Sequence, residues 1–198
     1  MKEIKYFITL YALLLSCTIA CAQDYYSRDR IKGDGYEYIL NKKIPSIIDI
    51  VNINNTLINT PFYVNENDDR PIDDVFLSQF IYFKDEAVFN RMINDFFTED
   101  EWNSILTEEK RLFFYCFFAL SPDGDVLEIK YSIDNHPIFR KIDPARLYEL
   151  EKKLIKEIKF YIDRPEAPNF VERLKEDKVP NLNYGFNTRP IREYYIPK

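Results

Sequence analysis

The sequence predicts an α+β fold in which a mostly antiparallel sheet carries helices packed on one face. An apolar run at residues 112–120 is followed by a turn and then by a strand in which apolar and polar residues alternate. Segments with helical spacing occur among the strands in mixed order rather than in a regular βαβα alternation. With 46% hydrophobic residues, the chain can build one core. We therefore expect a single α+β domain over residues 36–198.

Residues 1–22 have the pattern of an export signal. Two lysines precede a short apolar stretch, and residues 20–22, Ala-Cys-Ala, form a small-residue cleavage site. We expect cleavage after Ala22, because this A-x-A site is complete. The alternative is lipoprotein processing, in which Cys17 or Cys21 carries lipid, and only in that case do we expect membrane attachment. Both routes take the protein out of the cytoplasm.

The charge and the cysteine content limit the classes of partner. Loss of residues 1–22 removes two of the 27 basic and one of the 33 acidic residues, which leaves 25 and 32 and a net charge of −7. A nucleic-acid partner is not expected, because such proteins carry a basic surface. Cys116 is then the one remaining cysteine, so no intramolecular disulfide is predicted and the core must hold the fold.

The first half of the domain reads as strands followed by two helices. Residues 23–35 are polar and predict a flexible lead-in, and residues 36–64 contain two or three Ile/Val-rich strands. Apolar residues in pairs four apart predict a helix that starts after Asp85. Thr98-x-x-Glu101 is a capping box that opens a second, short helix.

Residues 111–163 predict a strand–turn–strand–helix–strand unit that supplies most of the core. The first strand is expected to be buried on both faces, and Gly124 to close the turn with a positive φ. The return strand alternates, so one face is buried and carries these side chains: Leu127, Ile129, Tyr131 and Ile133. Asp143 and Pro144 open an amphipathic helix on whose solvent side Glu149 and Lys153 are spaced to pair. A short strand at residues 158–162 ends the unit.

Residues 111–165 resemble the TonB C-terminal-like domain. The resemblance is carried by Pro-Asp-Gly-Asp-Val at the hairpin, a helix with Leu-x-x-Leu spacing, and Ile-Lys-Phe followed by a proline. It implies a small sheet with one helix across it, and contact with other envelope proteins. The chain differs from an energy-transducing TonB, because its 11 prolines are scattered and its N-terminus is predicted to be cleaved. The whole chain is similar to uncharacterised exported proteins of Gram-negative bacteria, which implies the periplasm or the outer membrane.

No catalytic, cofactor or metal site is predicted. His136 is the one histidine and cannot form a histidine-based metal cluster. Cys116 lies between phenylalanines, which indicates a buried small hydrophobe rather than a reactive thiol. The acidic loop at residues 66–74 and Asp123-Gly-Asp125 do not have the spacing of a calcium loop. A pair of carboxylates acting in a hydrolase stays open, because their separation in space is not visible in a sequence.

Tyrosines supply the candidate interaction surface. Several of the 15 are expected to be exposed, namely Tyr25, Tyr26, Tyr184, Tyr194 and Tyr195. We expect a non-catalytic protein-binding module with an envelope protein as its partner, joined by strand addition at the strand of Tyr131 or at a terminal strand over residues 191–196. The alternatives are a small periplasmic hydrolase that uses Asp and Glu, and a surface lipoprotein that binds glycan through its tyrosines.

Overall fold

A computed structural model describes residues 24–58, 81–121, 123–162 and 181–187, the last of these through the backbone alone. After a 3-10 turn at Tyr25–Ser27, the elements follow the predicted mixed order. They are β1 Arg30–Gly33, β2 Tyr36–Asn41, β3 Ile47–Asn52, β4 Ile81–Phe83, α1 Glu86–Phe96, α2 Glu99–Thr107, β5 Phe113–Leu120, β6 Val126–Asp134, α3 Pro137–Arg140, α4 Pro144–Glu157, β7 Phe160–Ile162 and β8 Asn181–Asn187. The α+β class is confirmed.

Six strands form an antiparallel sheet in the order β1-β2-β3-β6-β5-β8. The helices pack on one face of it, and one hydrophobic cluster joins the two layers. The cluster contains Tyr38, Ile50 and Phe114 from the sheet, with Phe89 from α1 and Leu154 from α4. The other face of β5 is only half buried at Phe113, Tyr115 and Phe117. The prediction that this strand is buried on both faces is therefore wrong.

A bulge in the β5–β6 hairpin changes which side chains of β6 face the core. Ala119 pairs with Glu128, whereas Leu120 pairs with Val126, so β6 contains one additional residue here. Val126 is buried, and Leu127 is 41% exposed. The apolar residues predicted to face the core therefore do so from residue 129 onward, whereas Leu127 does not. Ser132, on the polar side of the alternation, is also buried.

Gly124 closes this hairpin with a φ of 85°, as predicted. Its N–H donates to the carbonyl of Ser121 over 2.9 Å, and its own carbonyl accepts from the N–H of Phe160 over 2.8 Å. A Cβ atom at this position would overlap the carbonyl oxygen of Phe160. The tip of the hairpin therefore packs directly against the backbone at the start of β7.

The three predicted helix starts are confirmed. The Asp85 carboxylate accepts from the first N–H groups of α1, the Thr98–Glu101 capping box opens α2, and Asp143 caps α4 with Pro144 in the first turn. Each helix buries the apolar side that its spacing predicts. On the solvent side of α4, Glu149 pairs with Lys152 at 2.7 Å rather than with the predicted lysine one residue further on.

The last strand of the core unit forms but does not join the large sheet. β7 pairs with β4 in a separate two-stranded antiparallel sheet, which we call the ribbon. This differs from the single small sheet that the TonB-like resemblance implies. The predicted order of elements is right, and the predicted sheet membership of the last strand is wrong.

Strands also occur in two segments for which the sequence predicts none. The lead-in at residues 23–35 contains the 3-10 turn and β1, and Tyr26 within it is 2% exposed. The segment around Gly185 forms β8, which pairs with β5 along seven residue pairs. Both are edge strands of the sheet as far as the structure describes it. Among the described helices, none has the length and apolar character that spanning a membrane requires.

Candidate functional site

A groove of about 470 Å³ lies between α1 and α4. Apolar side chains form its deeper part, with Phe96 and Leu150 buried and Val88 and Met92 half buried. Exposed charged residues from both helices form the rims: Arg91, Asp95, Glu149, Lys153 and Glu157. The groove thus combines an apolar floor with rims of mixed charge.

One end of the groove lies where the start of α1 meets the end of α4. The backbone N–H of Lys84, just before α1, donates to the carbonyl of Lys159, just after α4, over 2.9 Å. The start of α1 therefore lies beside the end of α4, with the ribbon continuing from both. Helix α4 is further fixed because its apolar side packs on β6 and on the core.

At the opposite end of the groove, Arg146 links α4 to both α1 and α2. Its guanidinium donates to both oxygens of Glu101, at 2.7 and 2.9 Å, and also to the carbonyl of Phe96. Burial acts to raise the pKa of Glu101, but hydrogen bonds from Arg146 and from Thr98 outweigh it and hold that pKa below its ordinary value. Because α1 ends at Phe96 and α2 holds Glu101, this contact fixes the angle between the helices.

Two of the rim cations are not engaged. Within the described parts of the chain, Arg91 and Lys153 form no ion pair or side-chain hydrogen bond. Arg91 projects from the middle of α1 and Lys153 from the second half of α4. Each wall therefore carries one cation that forms no ion pair among the described residues, beside the rim carboxylates of Asp95, Glu149 and Glu157.

A second feature is a polar cluster buried between α4 and the sheet. Glu151 is 4% exposed and accepts hydrogen bonds from the Tyr38 hydroxyl at 2.7 Å and from the Asn52 amide at 3.0 Å. Burial raises the pKa of Glu151, and these two hydrogen bonds offset the rise only in part. We call Glu151, Tyr38, Asn52 and Tyr131 the buried polar cluster.

Tyr131 belongs to this buried cluster and not to an interaction surface. Its side chain is fully buried, and within the described part of the protein its hydroxyl has no hydrogen-bond partner. Burial raises the pKa of this hydroxyl, and the nearby Glu151 carboxylate adds to the rise. Its strand, β6, lies between β3 and β5, so it offers no free edge for strand addition. The buried orientation of Tyr131 agrees with the alternation of its strand. The prediction that this strand offers an edge for strand addition is wrong, because a strand's alternation does not show how many strands pair with it.

The tyrosines predicted to be exposed separate into three groups. Tyr26 is buried in the core cluster, and Tyr25 is half buried against it. The structure describes only the backbone of Tyr184, in β8 opposite Cys116. Tyr194 and Tyr195 lie outside the described residues, as do the predicted terminal strand and the lipidation candidates Cys17 and Cys21.

Cys116 and His136 have separate structural roles. Cys116 is fully buried in β5, and burial raises the pKa of its thiol well above the ordinary value, as expected of a small core residue. His136 is the N-cap of α3, where its Nδ1 accepts from the N–H of Ile138 over 3.4 Å and its Nε2 lies 3.6 Å from a Glu108 oxygen. A buried thiol with a raised pKa is a poor nucleophile, so these two residues do not suggest a catalytic dyad.

No group of three or more acidic, histidine or cysteine side chains suited to a metal ion occurs in the described part of the protein. Asp125 instead pairs with Lys159 at 2.6 Å, and Asp123 lies exposed in the hairpin turn. The acidic loop at residues 66–74 falls outside the described ranges.

Two exposed aromatic residues lie on the ribbon. Tyr82 and Tyr161 are opposite each other across β4 and β7, with ring centroids 5.5 Å apart. The alternation over residues 158–162 predicts that Tyr161 points away from the core. Its neighbour Tyr82 comes from a segment about eighty residues earlier, so only the fold brings the pair together.

Comparison with solved structures shows similarity at the level of the fold. A crystal structure of a DUF5043 family protein from Bacteroides uniformis matches with a TM-score of 0.64 and 17% sequence identity, over 83% of this chain and 87% of that one. No protein-family profile matches the chain. No curated protein matches it either. The similarity at this level of identity shows a shared fold with an uncharacterised bacterial protein, and it assigns no activity.

Proposed function

We propose that this chain is a non-catalytic, protein-binding module exported to the Gram-negative cell envelope, and that the groove between α1 and α4 is its binding surface. The observation that carries the proposal is the composition of that groove. An apolar floor gives affinity through burial, and rims of mixed charge give orientation and specificity. The export pattern of residues 1–22 supports an envelope location.

The groove best suits one amphipathic helix or turn of a partner protein. Such segments place apolar residues at positions i, i+3, i+4 and i+7 into a groove and leave charged residues along its edges. Arg91 and Lys153 stand on opposite walls and form no ion pair with any other residue that the structure describes. A partner segment with acidic residues on both sides of its apolar stripe therefore complements the site.

The resemblance of residues 111–165 to the TonB C-terminal-like domain favours an envelope protein as the partner. Part of this region, helix α4, forms one wall of the groove. The departure of β7 from the large sheet limits this support to the β5–β6–α4 portion. Contact through the helices replaces strand addition at β6, which has no free edge.

The hydrolase alternative requires a carboxylate with a raised pKa in a concave site. Glu151 has the raised pKa, but it faces the sheet and is bound by Tyr38 and Asn52, whereas the groove is lined by its neighbour Leu150. The described residues therefore favour binding at the groove over carboxylate chemistry there.

Photo-crosslinking in cells tests the proposal. A photoreactive residue at Asp95, on the rim, is expected to give one dominant adduct with a protein of the envelope, identified by mass spectrometry. The matched control carries the same residue at Lys43, an exposed position in the β2–β3 connection, and should give no such adduct. The double reversal R91E/K153E removes the rim cations without touching the core, and it should abolish the adduct. Adducts of equal yield at both positions, or an adduct that survives the reversal, would contradict binding at the groove.

A further inference from the structure

The ribbon carries two tyrosines side by side on its solvent face. Tyr82 and Tyr161 are 49% and 53% exposed, and their ring planes differ by only 19°. Their chain neighbours Ile81 and Phe160 are buried, so the two rings project away from the core. Two adjacent aromatic rings that are each about half exposed to solvent are typical of a ligand-binding or protein-binding surface.

Two lysines extend this surface. Lys84 follows β4 directly and Lys159 directly precedes β7, so each lies two residues from a tyrosine. The hydrogen bond from the Lys84 N–H to the Lys159 carbonyl continues the pairing of the two strands. Lys159 is held by Asp125, whereas Lys84 has no ion-pair partner in the described parts of the chain. We call Tyr82, Lys84, Lys159 and Tyr161 the tyrosine–lysine patch.

Aromatic residues on the inner side of the ribbon support the patch. On the inner side of the ribbon, the Phe83 and Phe160 rings lie 4.5 Å apart, and Phe160 also packs against Phe118 of the large sheet at 5.2 Å. The backbone of Phe160 is bound to Gly124 at the hairpin tip. A surface that is already ordered loses little conformational entropy when it binds a ligand.

We propose that the tyrosine–lysine patch binds an anionic saccharide, whose acidic group is a carboxylate or a sulfate ester. The faces of sugar rings that carry C–H groups pack on aromatic rings, while the tyrosine hydroxyls can hydrogen-bond to sugar hydroxyls. Ammonium groups beside the rings supply charge-assisted hydrogen bonds to the acidic group. Lys159 is shared with Asp125, so Lys84 is the lysine of the patch that forms no ion pair within the described residues. An acidic peptide would use the lysines without requiring both ring faces.

Calorimetric titration of the purified protein tests this site with defined probes. Tetragalacturonate carries carboxylates, sulfated neocarratetraose carries sulfates, maltotetraose is a neutral tetrasaccharide, and tetraglutamate is an acidic peptide. We expect at least one of the two acidic saccharides to bind, and the one that binds identifies the acidic group. Replacement of Tyr161 by threonine, which keeps a strand-forming residue, should weaken that binding by about tenfold. The change K84Q should weaken it by about fivefold and reduce its salt dependence.

Matched variants and probes decide the outcome. The change K43Q removes an exposed lysine in the β2–β3 connection and should leave binding unchanged. Thermal unfolding of Y161T close to that of the native protein shows that the ribbon is intact, and Y82T provides a second test from the other strand. Failure of both acidic saccharides to bind overturns the proposal. Equal binding of tetraglutamate with no effect of Y161T or Y82T also overturns it, since the patch would then recognise charge alone.

Discussion

Replacement of Glu151 by leucine tests how strongly the buried polar cluster stabilises the fold. The change keeps a side chain of similar size but removes both acceptor oxygens, so the Tyr38 hydroxyl and the Asn52 amide lose their partners. Each buried donor left unsatisfied costs about 1–3 kcal/mol, and relief from burying a carboxylate offsets part of that total. We therefore expect the free energy of unfolding to fall by about 2–4 kcal/mol.

Urea unfolding followed by the fluorescence of Trp102 measures this change. Trp102 is the one tryptophan and is buried, so its emission is expected to shift to longer wavelength as the chain unfolds. The matched control is E149L, which makes the same substitution at an exposed position on the same helix and should change the midpoint little. The slope of the transition should stay constant, so that a shifted midpoint reports stability alone.

A double-mutant cycle identifies the source of the loss. Y38F removes the hydroxyl that donates to Glu151, so the combination of Y38F with E151L leaves one unsatisfied donor fewer than E151L alone. The double variant should be more stable than the sum of the two single effects predicts, by about 1 kcal/mol or more. A loss below about 0.5 kcal/mol in E151L, or strictly additive effects, would refute the assignment of a stabilising role to this hydrogen bond.

Three further predictions follow from the same contacts. Because burial raises the folded-state pKa of Glu151 above its ordinary value of 4.5, the folded protein binds more protons between those two pKa values. Its unfolding free energy should therefore fall as pH rises through that window, and the fall should be smaller in E151Q when urea midpoints are compared across pH. The change G124A should destabilise the fold by about 2 kcal/mol or more in the same assay, because it places a Cβ at positive φ against the Phe160 carbonyl. The control G35A also places a Cβ at positive φ, but its surroundings make only ordinary contacts, so its unfolding free energy should fall by less. Cys116 should resist thiol reagents in the native protein and react fully in urea, and rapid labelling without denaturant would contradict its burial.

The sequence predicted the helix starts and the hairpin turn, which depend on interactions between residues close together in the chain. The capping residues Asp85, Thr98 and Asp143 give helix starts because side-chain oxygens bind backbone N–H groups within three residues. The turn at Gly124 was also visible, because only glycine takes positive φ without strain. These interactions act over a few positions, so the order of residues specifies them directly.

The errors arise where distant segments meet. Leu127 faces solvent because a bulge shifts the register between β5 and β6. The strand of Tyr131 offers no free edge because β3 pairs along its other side. β7 pairs with β4, which lies about eighty residues earlier. A strand's own alternation states which residues share a face, but not which strand comes next to it.

The candidate sites show the same division. The sequence by itself determined the α+β class, the helix caps, the turn at Gly124 and the buried character of Cys116, because each depends on composition, period or local hydrogen bonds. Only the tertiary structure brought Arg91 opposite Lys153 across the groove, and Tyr82 beside Tyr161 on the ribbon. It also placed the Glu151 carboxylate of α4 against the sheet, beside Tyr38 and Asn52. The physical reason is that binding surfaces and buried polar clusters are made by packing between segments far apart in the chain, and local propensities carry no information about that packing.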